Sequence, residues 1–322
     1  MRTFPWFLVV ASIYTLALTA CCAELPDAGA PEAPHVSVPP DFVPIPAGEF
    51  MMGDSLDGMK DAPRHRVNVS AFYMQKNLVS KAQWEDVREW ALMHGYTDLK
   101  KGVAKASDHP VVEVSWYAAL KWCNAKSERE GLTPCYYTDA KLTQVYRSGD
   151  KELTKAMVKW KADGYRLPTE AEWEKAARGG LAGQRFPWGN TISHDQANFF
   201  NGGKEPYQSG GAGYHPAYKT NKMANDFEGL PFTSPVGSFA ANGYGLHDMA
   251  GNVWELCWDR LAIYPEVLET DPRGPDLGSN HVCHGGSWAN SASGCRVARR
   301  LGHGTGFSIN SDGFRPISSS VP

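Results

Sequence analysis

Apolar residues recur at helical spacing in three stretches, and a hydroxyl residue stands before each. After Ser80, the side chains of Trp84, Val87 and Ala91 fall on one face, because residues three and four apart share a helix face. Ser80 can cap that helix by accepting an amide of its first turn. A second helix is predicted from near Ser115 through Ala119 and Trp122 to a stop at Gly131. A third starts at Thr169. There Thr169-Glu170-Ala171-Glu172 forms a capping box, Trp173, Ala176 and Ala177 form the apolar face, and Gly179-Gly180 ends the element. Elsewhere short apolar runs lie between turns. Residues 42–50 and 67–73 read as strands. Asn242-Gly243 and Asp312-Gly313 are turn dipeptides. The charged stretch 138–163 reads as an insertion, and 201–213 as a glycine-rich loop. The pattern predicts an α+β domain, rich in irregular structure, whose loops need something beyond backbone pairing to hold them. Bound cations are the usual means.

Composition narrows this picture. The 322 residues are 42% hydrophobic and 21% charged, enough to bury a real core. Eleven Trp and 32 Gly suit a loop-rich fold anchored by aromatic rings. A net charge of -3 gives no basic surface for nucleic acid. Residues 1–20 read as a signal peptide, with Arg2 at its start and an apolar run from Phe7 to Ala20. Leu18-Thr19-Ala20-Cys21 matches a bacterial lipobox, which makes Cys21 the lipidation site. No second apolar run reaches the roughly 20 residues of a membrane span. The proline- and alanine-rich residues 21–41 read as a tether, and 42–322 as one domain. The expected place is the bacterial cell envelope, lipid-anchored at the outer membrane or cell surface, with no other membrane contact and a monomeric state. Cys22 is unexplained. Cys123, Cys135, Cys257, Cys283 and Cys295 follow, without metal-site spacing and odd in number, so at least one thiol lacks a partner within the chain.

Five further stretches carry a resemblance. They are 45–53 (Ile-Pro-Ala-Gly-Glu-Phe-Met-Met-Gly), Val114-Ser115-Trp116, 165–174 (Tyr-Arg-Leu-Pro-Thr-Glu-Ala-Glu-Trp-Glu), 242–255, and Gly285-Gly286-Ser287-Trp288 with Gly313-Phe314-Arg315. In this order they resemble the sulfatase-modifying factor family, the formylglycine-generating enzyme-like proteins, over nearly all of 42–316. The resemblance implies the C-type lectin-like fold in its formylglycine-generating enzyme variant. It also implies structural calcium. One site would take the side chains of Asp248 and Glu255 with the carbonyls of Gly251 and Val253. A second would take the side chains of Asn198 and Glu228 with the carbonyls of Phe199 and Leu230. All-oxygen shells of this kind suit Ca²⁺.

Family oxidases convert a substrate cysteine to formylglycine with copper(I) and oxygen, and hold the metal on two cysteines five residues apart. Counted from Gly285-Gly286-Ser287, the second position is Cys295 and the first is Asn290. Copper(I) is soft and wants thiolates, so an amide there argues against copper. Trp254 and Ser287, which match the oxygen pocket, are retained and double as fold residues. If the chain were an oxidase, Cys295, Ser287 and Trp254 would be its catalytic positions. His281 and His284 flank Cys283 but form no recognisable ligand set, for want of a carboxylate partner.

Between the framework residues of the last forty positions the chain is small, polar and mixed. In this fold the segment forms an exposed face. The arrangement resembles the variable proteins of diversity-generating retroelements, of which the Treponema variable lipoprotein joins a lipobox to such a domain. The segment 281–315 is therefore expected to bind a protein or other macromolecular ligand outside the cell. Its candidate positions are Cys283 and His284, then Ala289, Asn290, Ala292, Ser293 and Gly294, then Leu301, His303, Thr305, Phe307, Ile309, Asn310 and Asp312. A formylglycine-generating oxidase is the alternative, and a structural envelope protein a third reading.

Overall fold

Each predicted helix forms where its hydroxyl cap stands. In the computed structural model, which describes residues 40–56, 60–200, 232–264 and 267–319, α1 spans Lys81–Leu92 and buries Trp84, Val87 and Ala91, with Ser80 accepting the Gln83 amide. α2 spans Trp116–Arg129 behind Ser115, and Gly131 turns the chain away with φ +76°. α3, Glu170–Ala177, carries the full capping box between Thr169 and Glu172. Glu172 also takes both guanidinium arms of Arg166, at 2.6 and 2.8 Å. Among the described residues no helix is long and apolar enough to cross a membrane. The expected signal peptide, Cys21, nearly all of the tether, the 201–213 loop, Glu228 and Leu230 lie outside the described residues.

Both predicted strands divide. Residues 42–50 become β1 (Phe42–Ile45) and the start of β2 (Gly48–Asp54), because Pro46 offers no ladder donor. Residues 67–73 become the end of β3 (Ala62–Val69) and the start of β4 (Phe72–Gln75). The break falls at Ser70, whose amide and hydroxyl are both drawn 2.7 Å to the Asp271 carboxylate. The remaining strands are β5 (Tyr165–Arg166), β6 (Trp254–Arg260), β7 (Glu269–Thr270), β8 (Asn280–His284), β9 (Leu301–Gly304), β10 (Asp312–Gly313) and β11 (Ile317–Ser318). Among the described residues they form three sheets, ordered β1-β4-β11-β5, β10-β6-β8-β9 and β2-β3-β7. Asp312-Gly313 is thus a strand parallel to β6 and not the expected turn. Gly313 is needed there because a Cβ would stand 3.0 Å from the Val111 carbonyl oxygen.

β6 is buried along its whole length and divides two cores by strand alternation. Trp254, Leu256 and Trp258 enter the core built on α1 and α2. Cys257 enters the core built on β1 to β4 and α3. In β8, Cys283 joins the first core and Val282 the second. The Trp84 and Trp122 rings lie parallel at 6.1 Å, with Phe314 edge-on to both. The stretch 138–163 is no loose insertion. Tyr146, Leu153, Val158 and Ala162 enter the first core, and the Asn124 carboxamide of α2 holds the Tyr136 and Tyr146 carbonyls at 2.8 and 3.1 Å. All five described cysteines are buried free thiols. These elements make an α+β domain with much irregular structure, on the C-type lectin-like plan that the motifs imply.

Candidate functional site

The segment after β8 is anchored before it is exposed. Gly285 and Gly286 take φ of +90° and +72°, and a Cβ on Gly286 would meet the Cys295 sulfur at 2.7 Å. The Trp288 amide donates to the Asn252 carbonyl (2.9 Å), and its indole to the Asn310 carbonyl (3.2 Å). Arg296, 2% exposed, reaches Asp54 at 3.2 Å and Asp61 at 2.8 Å. These contacts hold 289–294 above the framework. Asn290, Ser291, Ser293 and Gly294 line a cleft of about 410 Å³ with Trp254, Asp61, Arg296, Arg299 and Leu301. Arg299 stands at its rim, 3.0 Å from Asp61.

The structure therefore joins Asn290, Ser293, Gly294 and Leu301 in one cleft and adds residues that the sequence does not announce. Asp61 arrives from β3's turn, some 230 positions earlier. Its signal in the sequence is indirect: Arg296 and Arg299 have no acidic neighbour of their own. A second group forms farther along. His303 pairs with Asp312, and the Thr305 hydroxyl donates to Glu152 (2.8 Å) and accepts from Tyr117 (3.0 Å). Phe307 is 50% exposed, while Ala289, Ile309 and Asn310 are half-buried. Four expected face positions are not on the face: Cys283, His284, Ala292 and Asp312 are buried. The first two belong to a central strand, and Asp312 to β10 beside β6. His284 also has the carboxylate that its sequence neighbourhood lacks, since Glu170 lies 3.1 Å from its ring. Burial alone would raise the Glu170 carboxyl, but His284 and Arg300 outweigh it and hold it at about 2.

The two positions that would carry copper are chemically unlike. The Asn290 amide oxygen accepts the Ser287 hydroxyl at 2.6 Å. Cys295 lies beneath the cleft among Phe186, Ile192, Ala197 and Phe199. Burial pushes its thiol up to about 12, against the pull of backbone groups of Ser287 and Gly251. One amide and one buried thiol outside the cleft lining supply a single soft donor, where copper(I) takes two thiolates.

The calcium candidates fit better. Asp248 and Asn252 are non-glycine residues with φ of +58° and +65°, flanking Gly251 at +78°. A Cβ on Gly251 would stand 2.3 Å from the Asn198 carbonyl oxygen. One Asp248 oxygen accepts the Gly237 amide (2.7 Å), and the other is buried with no partner among the described residues. Burial raises the Asp248 carboxyl to about 6. Glu255 is shared differently, for Trp173 and Arg315 donate to its oxygens at 2.7 to 2.9 Å. At the other site the Asn198 amide donates to the Phe232 carbonyl (2.9 Å), while its oxygen is buried with no partner among the described residues. Phe199 stacks on His194 beside it. Among the described residues each candidate site thus shows one orphaned buried oxygen, which a hard cation suits. Among the described residues no three acidic, His or Cys side chains converge, so backbone carbonyls would supply much of either shell.

A model of the sulfatase-modifying factor enzyme 1-like domain matches residues 28–320. The chain is 31% identical to the chaperone protein LppX of Paenibacillus barcinonensis, over 92% of both chains. It is 32% identical to the formylglycine-generating enzyme of Bos taurus, over 89% of this chain and 76% of that one. It is 30% identical to the inactive C-alpha-formylglycine-generating enzyme 2 of Mus musculus, over 87% and 86%. Among solved structures, Treponema denticola variable protein 1 superposes with a TM-score of 0.63 at 28% identity, covering 87% of this chain and 95% of its own. From the five motifs, the lectin-like frame and these likenesses together, the chain belongs to the sulfatase-modifying factor enzyme 1-like domain family.

Proposed function

We propose that the domain is a non-catalytic, surface-displayed lipoprotein module that binds a macromolecular ligand through the cleft at Asn290 and the adjoining 301–310 segment. One observation carries this reading: Asn290 occupies the first copper position with its oxygen committed to Ser287, and Cys295 is buried outside the cleft lining. The likeness to a variable protein and to a relative named inactive agrees with it. The segment's construction agrees too, since half-exposed side chains stand on an anchored frame where exchange costs little. Calcium at the 248–255 corner and beside Asn198 is structural in this reading. Cys21 carries the lipid, and the domain is displayed as a monomer at the bacterial surface.

The retained Trp254, Ser287 and Cys295 favour the second reading, an oxidase acting on a substrate cysteine. Copper(I) titration of the folded domain, with a cysteine-containing sulfatase peptide and oxygen, separates the two. The expected result is no tight copper binding and no aldehyde on the peptide. Stoichiometric copper binding with conversion of the peptide thiol to an aldehyde would overturn the binding-module reading.

A further inference from the structure

β9 is the outermost strand of its sheet. Its register on β8 sets His281 opposite His303 and Cys283 opposite Leu301. The direction of each backbone group follows from one hydrogen bond. The Asn280 carbonyl accepts the Leu261 amide at 2.9 Å, at the end of β6, so Asn280 turns its backbone toward β6. Successive residues of a strand point their amides in opposite directions. His281 and Cys283 therefore face β9, and His303 and Leu301 face back toward β8. Gly302 and Gly304 then direct their N–H and C=O groups to the open side. The Gly304 carbonyl turns that way and accepts the Phe307 amide (2.9 Å). The Gly302 N–H and C=O and the Gly304 N–H meet no partner among the described residues.

Open edges are ordinarily blunted with charged side chains, proline or bulges. Leu301-Gly302-His303-Gly304 has neither proline nor acid nor lysine, and both residues facing outward lack a side chain. The edge also lies within the segment that lines the binding cleft, since Leu301 belongs to both. Phe307, half-exposed just beyond Gly304, and Leu277, 86% exposed on the loop that enters β8 opposite Gly304, offer apolar contacts beyond that end.

We propose that the open edge of β9 takes up an extended segment of a polypeptide partner, which pairs with Gly302 and Gly304 as an added strand. The occupant is a polypeptide because alternating donor and acceptor groups about 7 Å apart on one line match another extended backbone. This rests on the reading that the face binds a macromolecule, and narrows the ligand to a protein with an accessible extended stretch.

The test uses a random dodecapeptide library displayed on phage, selected on the folded domain, with the best synthetic peptide as probe. Gly304→Pro removes the outward N–H and leaves the pairing to β8. A Cβ there has room, its nearest neighbours being 3.9 to 4.0 Å away. Gly304→Ala adds the Cβ and keeps the N–H. The expected result is that Gly304→Ala binds the probe within about twofold of the parent, as an added exposed carbon changes little. Gly304→Pro, with a matching thermal midpoint, should bind at least tenfold more weakly. N-methylation of alternate peptide amides should weaken binding in the same way. Equal binding by Gly304→Pro and Gly304→Ala would overturn the edge proposal. If Asn290→Ala and Arg299→Ala abolish that same binding, the face still binds, by side chains, and the broader reading stands. Binding indifferent to all four substitutions, or no selectable peptide, would overturn the edge proposal, while the broader reading is overturned by the copper and aldehyde result above. A parent domain that is dimeric by light scattering and monomeric as Gly304→Pro would assign the edge to a second copy, and overturn the partner proposed here.

Discussion

Residues 285–288 and 313–315 differ from residues 289–310 in almost every physical respect, although they alternate along one stretch of chain. The first set is buried and strongly tied: Arg315 is 0% exposed and reaches Glu255 and the Gln75, Lys76 and His247 carbonyls. Apart from the buried Cys295 to Ala298, the second set is mostly half-exposed, and its side chains reach one another at Ser291 and Ser293 and the rest of the fold at Ser287, Asp61 and Glu152. Tightly held residues and half-exposed ones thus stand a few positions apart. A module of this kind can change what it presents without changing what it is.

The harshest way to break the contrast is at the anchored set. Arg315→Met leaves the Glu255 carboxylate buried beside Trp173 without its cation, which costs about 3–5 kcal/mol, read by urea unfolding of parent and variant. A smaller effect lies at Asp248. Its folded carboxyl titrates at about 6 against an ordinary 3.8. The folded chain therefore holds the proton that the unfolded chain releases, and stability falls as pH rises from about 4 to about 6. The loss is on the order of 3 kcal/mol. Asp248→Asn should flatten this slope. Added Ca²⁺ at neutral pH should raise the parent's thermal midpoint more than that variant's, which keeps only the candidate site beside Asn198, as calorimetry can check. The smallest effect is expected on the face: Asn290→Ser and Ser293→Asn should each shift stability by less than about 0.5 kcal/mol. A larger loss at these two would mean that the face helps to hold the frame.

The sequence was most legible where the controlling physics is local. Ser80, Ser115 and Thr169 mark their helices because a cap and its amides lie within four residues. It was least legible where the deciding partner is distant. Asp312-Gly313 carries a turn dipeptide, yet pairs with Trp254 and Glu255 some sixty positions away. Residues 138–163 look solvated because their charges outnumber the Tyr146, Leu153 and Val158 that enter the core. In the candidate site, Asn290 and Cys295 could be placed from the glycine motif alone. That Cys283, His284 and Asp312 are buried follows from strand order, which no local pattern contains. Nor could spacing reveal that Asp61 closes the cleft, since it is the salt bridges to Arg296 and Arg299 that bring it there.

β11 lies between β4 and β5, and Ile317 faces both Met74 and Arg166 across it. Among the described residues β11 is therefore the strand that joins β4 to β5, which lie far apart in the chain. A reading-frame shift or stop codon anywhere in 289–312 removes Arg315 and β11 together. Such a product lacks the strand that joins β4 to β5. A substitution in the same interval passes. An altered half-exposed side chain leaves that sheet whole, and an interrupted message does not.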